Sequence, residues 1–431
     1  VRSRRYFIDA PFHTGIEREP SRGRIPPMNV SAALDWLFST QFFGIKLGLD
    51  NTGELLAAAD ADRTDATVVH VAGTNGKGST CAMIEALARA QGYVTGLFTS
   101  PHLVEFSERI RVNGNMIPPE ALAEEIFFLK QLAEGWEQPP TFFELALAVA
   151  LRHFRKSGVN FIILETGLGG RLDATNAVPK DIAVLAPIGL DHQQYLGDTL
   201  EEIAAEKAAI ISPGKPAVTA VQSPEAMAVI EQTARNRRSP LTVARADGET
   251  PRPSLPGAHQ RENAALALET MRQLHALPSP SAAAAALAKV QWPGRFERLE
   301  TPPLVLDGAH NEHAARVLAA TWKEEFPGRK AALVFAASAD KHIREMIPVL
   351  REITGEWHLV PCTSPRIMPA EELAVLLAGL ETGPVFIHST LPDGLHAALA
   401  SPLPALAAGS LFLLGDLKAL LRHAEKRCTA Q

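Results

Sequence analysis

The run Gly73-Thr74-Asn75-Gly76-Lys77-Gly78-Ser79-Thr80 carries the plainest chemistry in this sequence. Glycines let backbone N–H groups close on an anion, a helix N-terminus behind them adds partial positive charge, and Lys77 supplies a mobile cation. That combination binds phosphate. The run departs from the G-x-x-x-x-G-K-[ST] pattern, because Gly78 separates Lys77 from Ser79. Its surroundings still favour an ATP-type site over a bare glycine turn: the apolar run Val68-Val69-His70-Val71 precedes it, and Met83, Leu87 and Ala90 follow at helical spacing. Glu165 is a second candidate. It ends the apolar run from Phe161 to Leu164, at the carboxyl edge where open α/β sheets bind ligands. The plainer reading is a helix-capping or salt-bridged carboxylate.

These residues must be held by strands alternating with helices. Val68 to Val71, Val94 to Phe98, Phe161 to Leu164, Ile182 to Leu185 and Pro216 to Val221 read as strands, each followed by a helical pattern. Such alternation predicts a mainly parallel sheet covered on both faces. Thr141-Phe-Phe-Glu144 has the form of a capping box opening a helix. A second strand-helix cycle starts at Leu304-Val305-Leu306 and continues through Ala331 to Ala336, His358 to Pro361, Val385 to His388 and Leu411 to Leu414. Between the cycles, Trp292-Pro293-Gly294-Arg295-Phe296 marks a turn or hinge. The expected division is an arm over residues 1–28, a phosphate-loop α/β domain over 29–296 and a smaller Rossmann-like α/β domain over 297–431. The alanine-rich stretch Ala282 to Ala286 reads as helix.

Composition narrows the class. The chain has 431 residues, 46% hydrophobic and 21% charged, which suits a soluble protein of about two or three domains. A net charge of −6 argues against a broad nucleic-acid surface. Cys81, Cys362 and Cys428 lie far apart and form no CxxC pair, which excludes a cysteine zinc site and points to a reducing compartment. No apolar run reaches the roughly 20 residues of a membrane helix. The arginines of the first 28 residues flank no apolar core of a secretory signal. A cytoplasmic, monomeric enzyme without nucleic-acid or membrane partners is the expectation.

The phosphate loop resembles that of the Mur-ligase superfamily, and within it the chain is similar to folylpolyglutamate synthases and dihydrofolate synthases. The narrower likeness rests on Thr99-Ser100-Pro101-His102-Leu103, Glu108-Arg109-Ile110-Arg111-Val112 and the stretch from Leu164 to Asn176 that contains Leu168-Gly169-Gly170-Arg171-Leu172-Asp173-Ala174. Gly189-Leu190-Asp191-His192, Glu206-Lys207-Ala208, His259-Gln260-Arg261-Glu262-Asn263, Pro293-Gly294-Arg295-Phe296 and Asp307-Gly308-Ala309-His310-Asn311 continue it. These motifs keep the family's order over roughly residues 44 to 420, more loosely in the last third. Ala186-Pro187 before Ile188, and Ile367-Met368 within Ser364-Pro365-Arg366-Ile367-Met368, depart from the family's usual residues.

The resemblance implies a ligase that uses ATP to phosphorylate the carboxylate of dihydropteroate or a folate, after which the amine of L-glutamate displaces phosphate in a cleft between the domains. It assigns Thr74, Asn75, Gly76, Lys77, Gly78, Ser79, Asn263, Arg295 and Asp307 to ATP, with Lys77, Lys207, His192 and Arg295 serving catalysis. Ser100, Glu165 and His192 would hold Mg2+; histidine is the odd member, since magnesium prefers oxygen. Gly44, Ile45, Lys46, Leu47, Thr141, Leu172, Asp173 and Ala174 would meet the pteridine acid, and His310 ATP or glutamate. Asp173 suits the donors of an aminopyrimidinone ring, although a turn aspartate is nearly as good a reading, and Phe42, Phe43, Phe142 and Phe143 read as core. Lys207 is expected as N6-carboxylysine. That requires a neutral amine and hence burial, since the unperturbed pKa is about 10.4; a surface lysine paired with Glu206 or Glu202 is the alternative. Arg295 would reach phosphate on domain approach, or else pair with Glu297 or Glu300 at the hinge. A cell-wall ligase of the same superfamily fits the Leu168–Asn176 and Thr99–Leu103 stretches less well. A non-catalytic nucleotide switch would not need the set Lys77, Ser100, Glu165, His192 and Arg295.

Overall fold

The structure, a computed structural model, describes residues 29–43, 48–380 and 383–422. The expected arm over 1–28 and the candidates Gly44, Ile45, Lys46 and Leu47 lie outside the described residues.

Among the described residues fourteen strands occur: β1 Thr67–Ala72, β2 Thr95–Phe98, β3 Ile110–Val112, β4 Asn115–Met116, β5 Phe161–Glu165, β6 Ile182–Leu185, β7 Ala217–Thr219, β8 Leu241–Val243, β9 Glu297–Leu299, β10 Leu304–Leu306, β11 Ala331–Phe335, β12 Thr354–Leu359, β13 Val385–Ile387 and β14 Ala405–Ala408. They form an eight-stranded sheet in the order β4-β3-β2-β5-β1-β6-β7-β8 and a six-stranded sheet in the order β13-β12-β11-β14-β10-β9. The pairs β2–β3, β3–β4 and β9–β10 are antiparallel, and the others are parallel. The expected mainly parallel α/β class holds for both sheets.

Alternation along each strand divides the apolar residues between two faces. Val68 of β1 packs with the helices Val30–Ser39, Pro119–Leu132 and Phe142–Lys156, whereas Val69 and Val71 pack against Lys77–Ala90 and Ala258–Gln273. In the second sheet Leu333 and Phe335 face one core, and Ala332 and Val334 the other. The capping box at Thr141 is present, with Glu144 accepting the Thr141 N–H at 2.7 Å. The alanine-rich stretch lies in the helix Pro280–Leu287, as its composition predicts. Among the described residues no helix is long and apolar enough to cross a membrane.

One expected strand is wrong. Leu411 to Leu414 opens the helix Leu411–Arg422, and the strand is the alanine run Ala405–Ala408 before it. Alanine has low β-propensity, and burial between β10 and β11 decides the matter instead. Leu413, Leu414, Leu417 and Ala419 recur at helical spacing and are buried on one face. His358 to Pro361 is shifted as well: the strand spans Thr354–Leu359, with polar residues at its entrance hiding the pattern.

Phe154 lies fully buried against Gly96, where an added Cβ would approach its ring to 2.8 Å. Phe154→Ala is expected to cost about 3–5 kcal/mol, read as a lower denaturant midpoint with unchanged slope.

Candidate active site

The phosphate loop leaves β1 and enters the helix Lys77–Ala90 through Gly76, whose φ of 83° is left-handed. A side chain there would place Cβ 2.7 Å from Asn263 Oδ1, so the glycine serves both the turn and the close packing of Asn263. The extra Gly78 has its own cause. A Cβ at Gly78 would lie 2.7 Å from Nε1 of Trp292, the residue that opens the hinge segment. Trp292 in turn carries the Arg111 guanidinium over its ring at 5.3 Å.

Loops at the carboxyl ends of the other strands converge on the same space. Ser100 follows β2, Glu165 ends β5, and Asp191 and His192 follow β6. From the second sheet come Asp307 and His310 after β10, Lys341 after β11 and Ser410 after β14. All of these except Asp191 line one cavity of about 620 Å³, together with Asn75, Gly76, Lys77, Gly78, Ser79, Asn263 and Arg295. Asp191, itself outside the lining, joins the two sheets from just behind it. Its carboxylate meets Lys341 Nζ at 2.5 Å, accepts from Asn311 Nδ2 at 3.0 Å and lies 3.6 Å from His310 Nε2. Asn75 of the phosphate loop reaches Asn311 at 3.2 Å and His313 at 2.8 Å.

Burial tunes these groups. Desolvation raises the Glu165 carboxyl, against the pull of Lys77, and it raises Asp307 against that of Arg295. Desolvation alone would raise Asp191 as well, but His310, Lys341 and His192 hold it well below the usual carboxylate range. His192 is pushed down to about 4 by burial, so its imidazole is neutral near pH 7 and has a lone pair to offer. It adopts a left-handed φ of 54°. Lys207 is buried and lowered to about 7, first by desolvation and then by Lys77. Glu206 pairs instead with Arg171 at 2.8 Å, and Glu202 accepts the Asp198 and Thr199 N–H groups. The surface-pair reading of Lys207 is therefore set aside. The same holds for Arg295: Glu297 is taken by Lys418 at 2.5 Å and by the Gly294 N–H at 2.8 Å, which leaves the guanidinium on the cavity wall.

Other expected residues stand apart from the cavity. The Thr74 hydroxyl bonds the backbone of Gly189 at 2.9 Å and fixes the loop after β6. Thr141 caps its helix. Leu172 is half-buried and Ala174 buried beside Asp173. Asp173 accepts from the N–H groups of Gly167 at 2.8 Å, Leu168 at 2.9 Å and Thr175 at 3.0 Å, and from the Thr175 hydroxyl. Its acceptor capacity is spent on shaping this loop. Phe142 is core, stacked on Phe38 at 5.5 Å. Sequence reasoning assigned no role to Asp191, Lys341, Arg366, His259 or Ser410. Ser410 was hidden because the alanine strand before it was not recognised, and Lys341 because it lies six residues beyond the end of β11.

A magnesium ion fits this chemistry. Among the described residues no three His, Cys, Asp or Glu side chains form a cage of their own. Glu165 is a buried carboxylate at the phosphate loop, with the Ser100 N–H at 3.1 Å as its one hydrogen bond among the described residues. An incomplete protein shell of oxygen donors completed by phosphate oxygens is how magnesium binds beside nucleotides.

Two sheets, a phosphate loop and a cleft lined from both define a nucleotide-binding α/β protein whose site lies where the sheets meet. Residues 71–250 match the Mur ligase middle domain, and residues 294–411 match the Mur ligase glutamate ligase domain. The dihydrofolate synthase/folylpolyglutamate synthase of Bacillus subtilis (strain 168) is 39% identical over 374 residues, 79% of this chain and 87% of that protein. Its counterpart from Escherichia coli (strain K12) is 35% identical over 346 residues, 76% of this chain and 81% of that one. E. coli FolC in complex with DHPP and ADP superposes with a TM-score of 0.82 at 30% identity, over 91% of this chain and 98% of that one. Mycobacterium tuberculosis folylpolyglutamate synthase complexed with ADP gives a TM-score of 0.84 at 27% identity, over 93% of this chain and all of that one, 100%. The chain belongs to the dihydrofolate synthase/folylpolyglutamate synthase family.

The packing of Trp292 on Gly78 generates a test. Gly78→Ala should weaken binding of a non-hydrolysable ATP analogue at least about tenfold, or ~1.4 kcal/mol, and Trp292→Ala in the same chain should recover most of it. Calorimetric titration of the three proteins decides; unchanged affinity in Gly78→Ala would rule out this account of the glycine.

Proposed function

We propose that this chain joins L-glutamate to a pteridine-bearing acid, dihydropteroate or a tetrahydrofolate (poly)glutamate, at the expense of ATP. The observation that carries the reading is one cavity walled by a phosphate-binding helix terminus on one sheet and by Lys341, Arg366 and His310 on the other. Family membership supports it, as do the names of the relatives. The cytoplasm suits the three widely spaced cysteines Cys81, Cys362 and Cys428. The division into two ligase domains near residue 296 agrees with the gap between β8 and β9.

A carboxylate is a poor acyl donor. Its oxygen attacks the terminal phosphorus of ATP, the bond to the bridging oxygen breaks, and ADP leaves. The amine of glutamate then attacks the acyl carbon, a C–N bond forms, and phosphate departs as the amine loses its proton. Lys77, the N–H groups of Gly76 to Ser79 and Arg295 would stabilise the charge on the phosphoryl group in flight. Magnesium, held by Ser100, Glu165, His192 and phosphate oxygens, would supply further neutralisation of that charge. Asn263 and Asp307 would position the nucleotide. Asp307 acts through the hinge, accepting from Phe296 N at 2.9 Å and from Ala309 N at 2.9 Å. Closure of the cleft between the sheets would keep water from the acyl phosphate. The pteridine would lie toward Thr141 and the loop Leu172–Ala174, whose shape Asp173 maintains.

Carbamylation of Lys207 is part of the proposal. A neutral amine is required, and burial brings the group to about 7, so neutral lysine is abundant at pH 7 to 8. The carbamate would set a negative charge against Lys77, whose positive charge acts on Lys207.

Phosphate release from ATP, with magnesium and glutamate, is expected to depend on added dihydropteroate or tetrahydrofolate in separate reactions; no turnover with either, from folded protein that binds ATP, would reject the folate reading. Protonation below about pH 7 removes the amine form that takes up CO2, so activity should fall there and rise with bicarbonate. Lys207→Ala should abolish the bicarbonate response, and acetate should restore part of the rate. Loss without rescue would argue for a structural lysine.

A further inference from the structure

Arg295 is flanked by two left-handed residues, Gly294 at φ 73° and Phe296 at φ 45°. A bulky side chain seldom adopts that conformation, which persists only where its surroundings over-determine it. Asp307 Oδ2 accepts the Phe296 N–H at 2.9 Å, and the Phe296 ring is buried beside Trp322 and Phe326, at centroid distances of 6.2 and 6.4 Å. Gly294 O accepts the Gly308 N–H at 2.8 Å. One face of the helix Leu411–Arg422 cradles the same turn through Leu411, Leu414 and Lys418, which are neighbours at helical spacing. A Cβ at Gly308 would lie 2.5 Å from Leu411 Cδ2, and one at Gly294 would lie 2.9 Å from Leu414 Cδ2. Lys418 is buried and donates to both Glu297 oxygens, at 2.5 and 2.6 Å. Glu297 in turn accepts the Gly294 N–H at 2.8 Å.

We propose that Lys418 is a positioning residue for the reaction, acting through Glu297 and the Gly294–Phe296 turn to aim Arg295 at the phosphoryl group. The assignment rests on the ligase reading above and gives a role to a buried lysine outside the cavity lining. Arg295 does not fix its own direction. Its one hydrogen bond among the described residues runs from Nη1 to Gly294 O, a carbonyl of the same turn, at 3.1 Å. The guanidinium therefore goes where the turn goes. Without Lys418 the half-buried Glu297 carboxylate is free to swing toward water and release the Gly294 N–H. A buried ion pair adds little net stability, because desolvating both charges offsets their attraction. What this pair supplies is a fixed place for the turn, and a shift of about 1 Å in a catalytic group costs on the order of 100-fold in rate.

Lys418→Met tests the assignment, read as acid-dependent phosphate release from ATP. In the variant kcat should fall by about 10- to 100-fold. KM for ATP and for the acid should stay within about twofold, since the lost interaction belongs to the transition state. Lys418→Arg, which keeps a charged donor for both Glu297 oxygens, should recover most of the rate. In an Arg295→Ala background nothing is left to aim, so adding Lys418→Met should change kcat by less than about twofold. Should Lys418→Met fail to fold because Glu297 is left unpaired, Lys418→Leu with Glu297→Leu removes both charges at once and should show the same loss. An unchanged kcat in either folded variant, or a full further loss on top of Arg295→Ala, would overturn the assignment. Absence of acid-dependent turnover in the unaltered protein would overturn the functional reading and this assignment together.

Discussion

Buried and half-buried carboxylates that accept backbone N–H bonds hold the loops on which this site is built. Glu165 takes the N–H of Ser100; Asp173 takes those of Gly167, Leu168 and Thr175; Asp307 takes those of Phe296 and Ala309. Glu108 does the same for Leu103 and Val104, and Glu144 for Thr141. Each bond satisfies a loop amide that has no strand partner, and each is charge-assisted and therefore stronger than a neutral one. The cost is desolvation, which raises the carboxyls of Glu165, Asp173 and Asp307. That cost is offset only while the loops stay in place, so loop geometry and carboxylate ionisation stabilise one another.

The same reasoning explains why the cleft carries so many cations. Lys77, Arg295, Lys341 and Arg366 all line it, whereas the chain as a whole has a net charge of −6. The excess is local, built to receive phosphates and carboxylates that are absent from the free protein. Asp191 is the counterweight. It engages Lys341 and Asn311 of the second sheet from a loop of the first, directly beside His192. Hydrogen bonds from Asn75 to Asn311 and His313 add a second tie. The phosphate loop thus contacts the second sheet through its own side chains, and a change at the phosphates has a direct route to the domain junction.

Much of the first domain was legible because its signals are local. A β-branched run, a glycine loop with a lysine and a helical repeat lie within about 25 residues, and each element needs only its neighbours to form. Glu165 was legible for a similar reason, as the last residue of an apolar run. Ala405–Ala408 was not, because nothing in alanine favours a strand until burial between β10 and β11 is known. The extra Gly78 looked like a defect in a pattern and proved to be clearance for Trp292, a partner far away in sequence.

Asp173 and Arg366 mark the limit from opposite directions. Asp173 has the right chemistry to recognise a ring of hydrogen-bond donors, yet donors of its own loop already occupy its oxygens. Residue type alone cannot reveal that, since it depends on which amides the fold brings near. Arg366 sits beside the unusual pair Ile367-Met368 in a loosely matching third of the chain. It reaches the cavity only because an isolated bridge to Ser338 turns its segment back over β11, and hydrophobic periodicity leaves no trace of such a bridge. What a sequence says about chemistry is therefore most secure where one element carries the group, and weakest where a loop from one strand is delivered to the end of another.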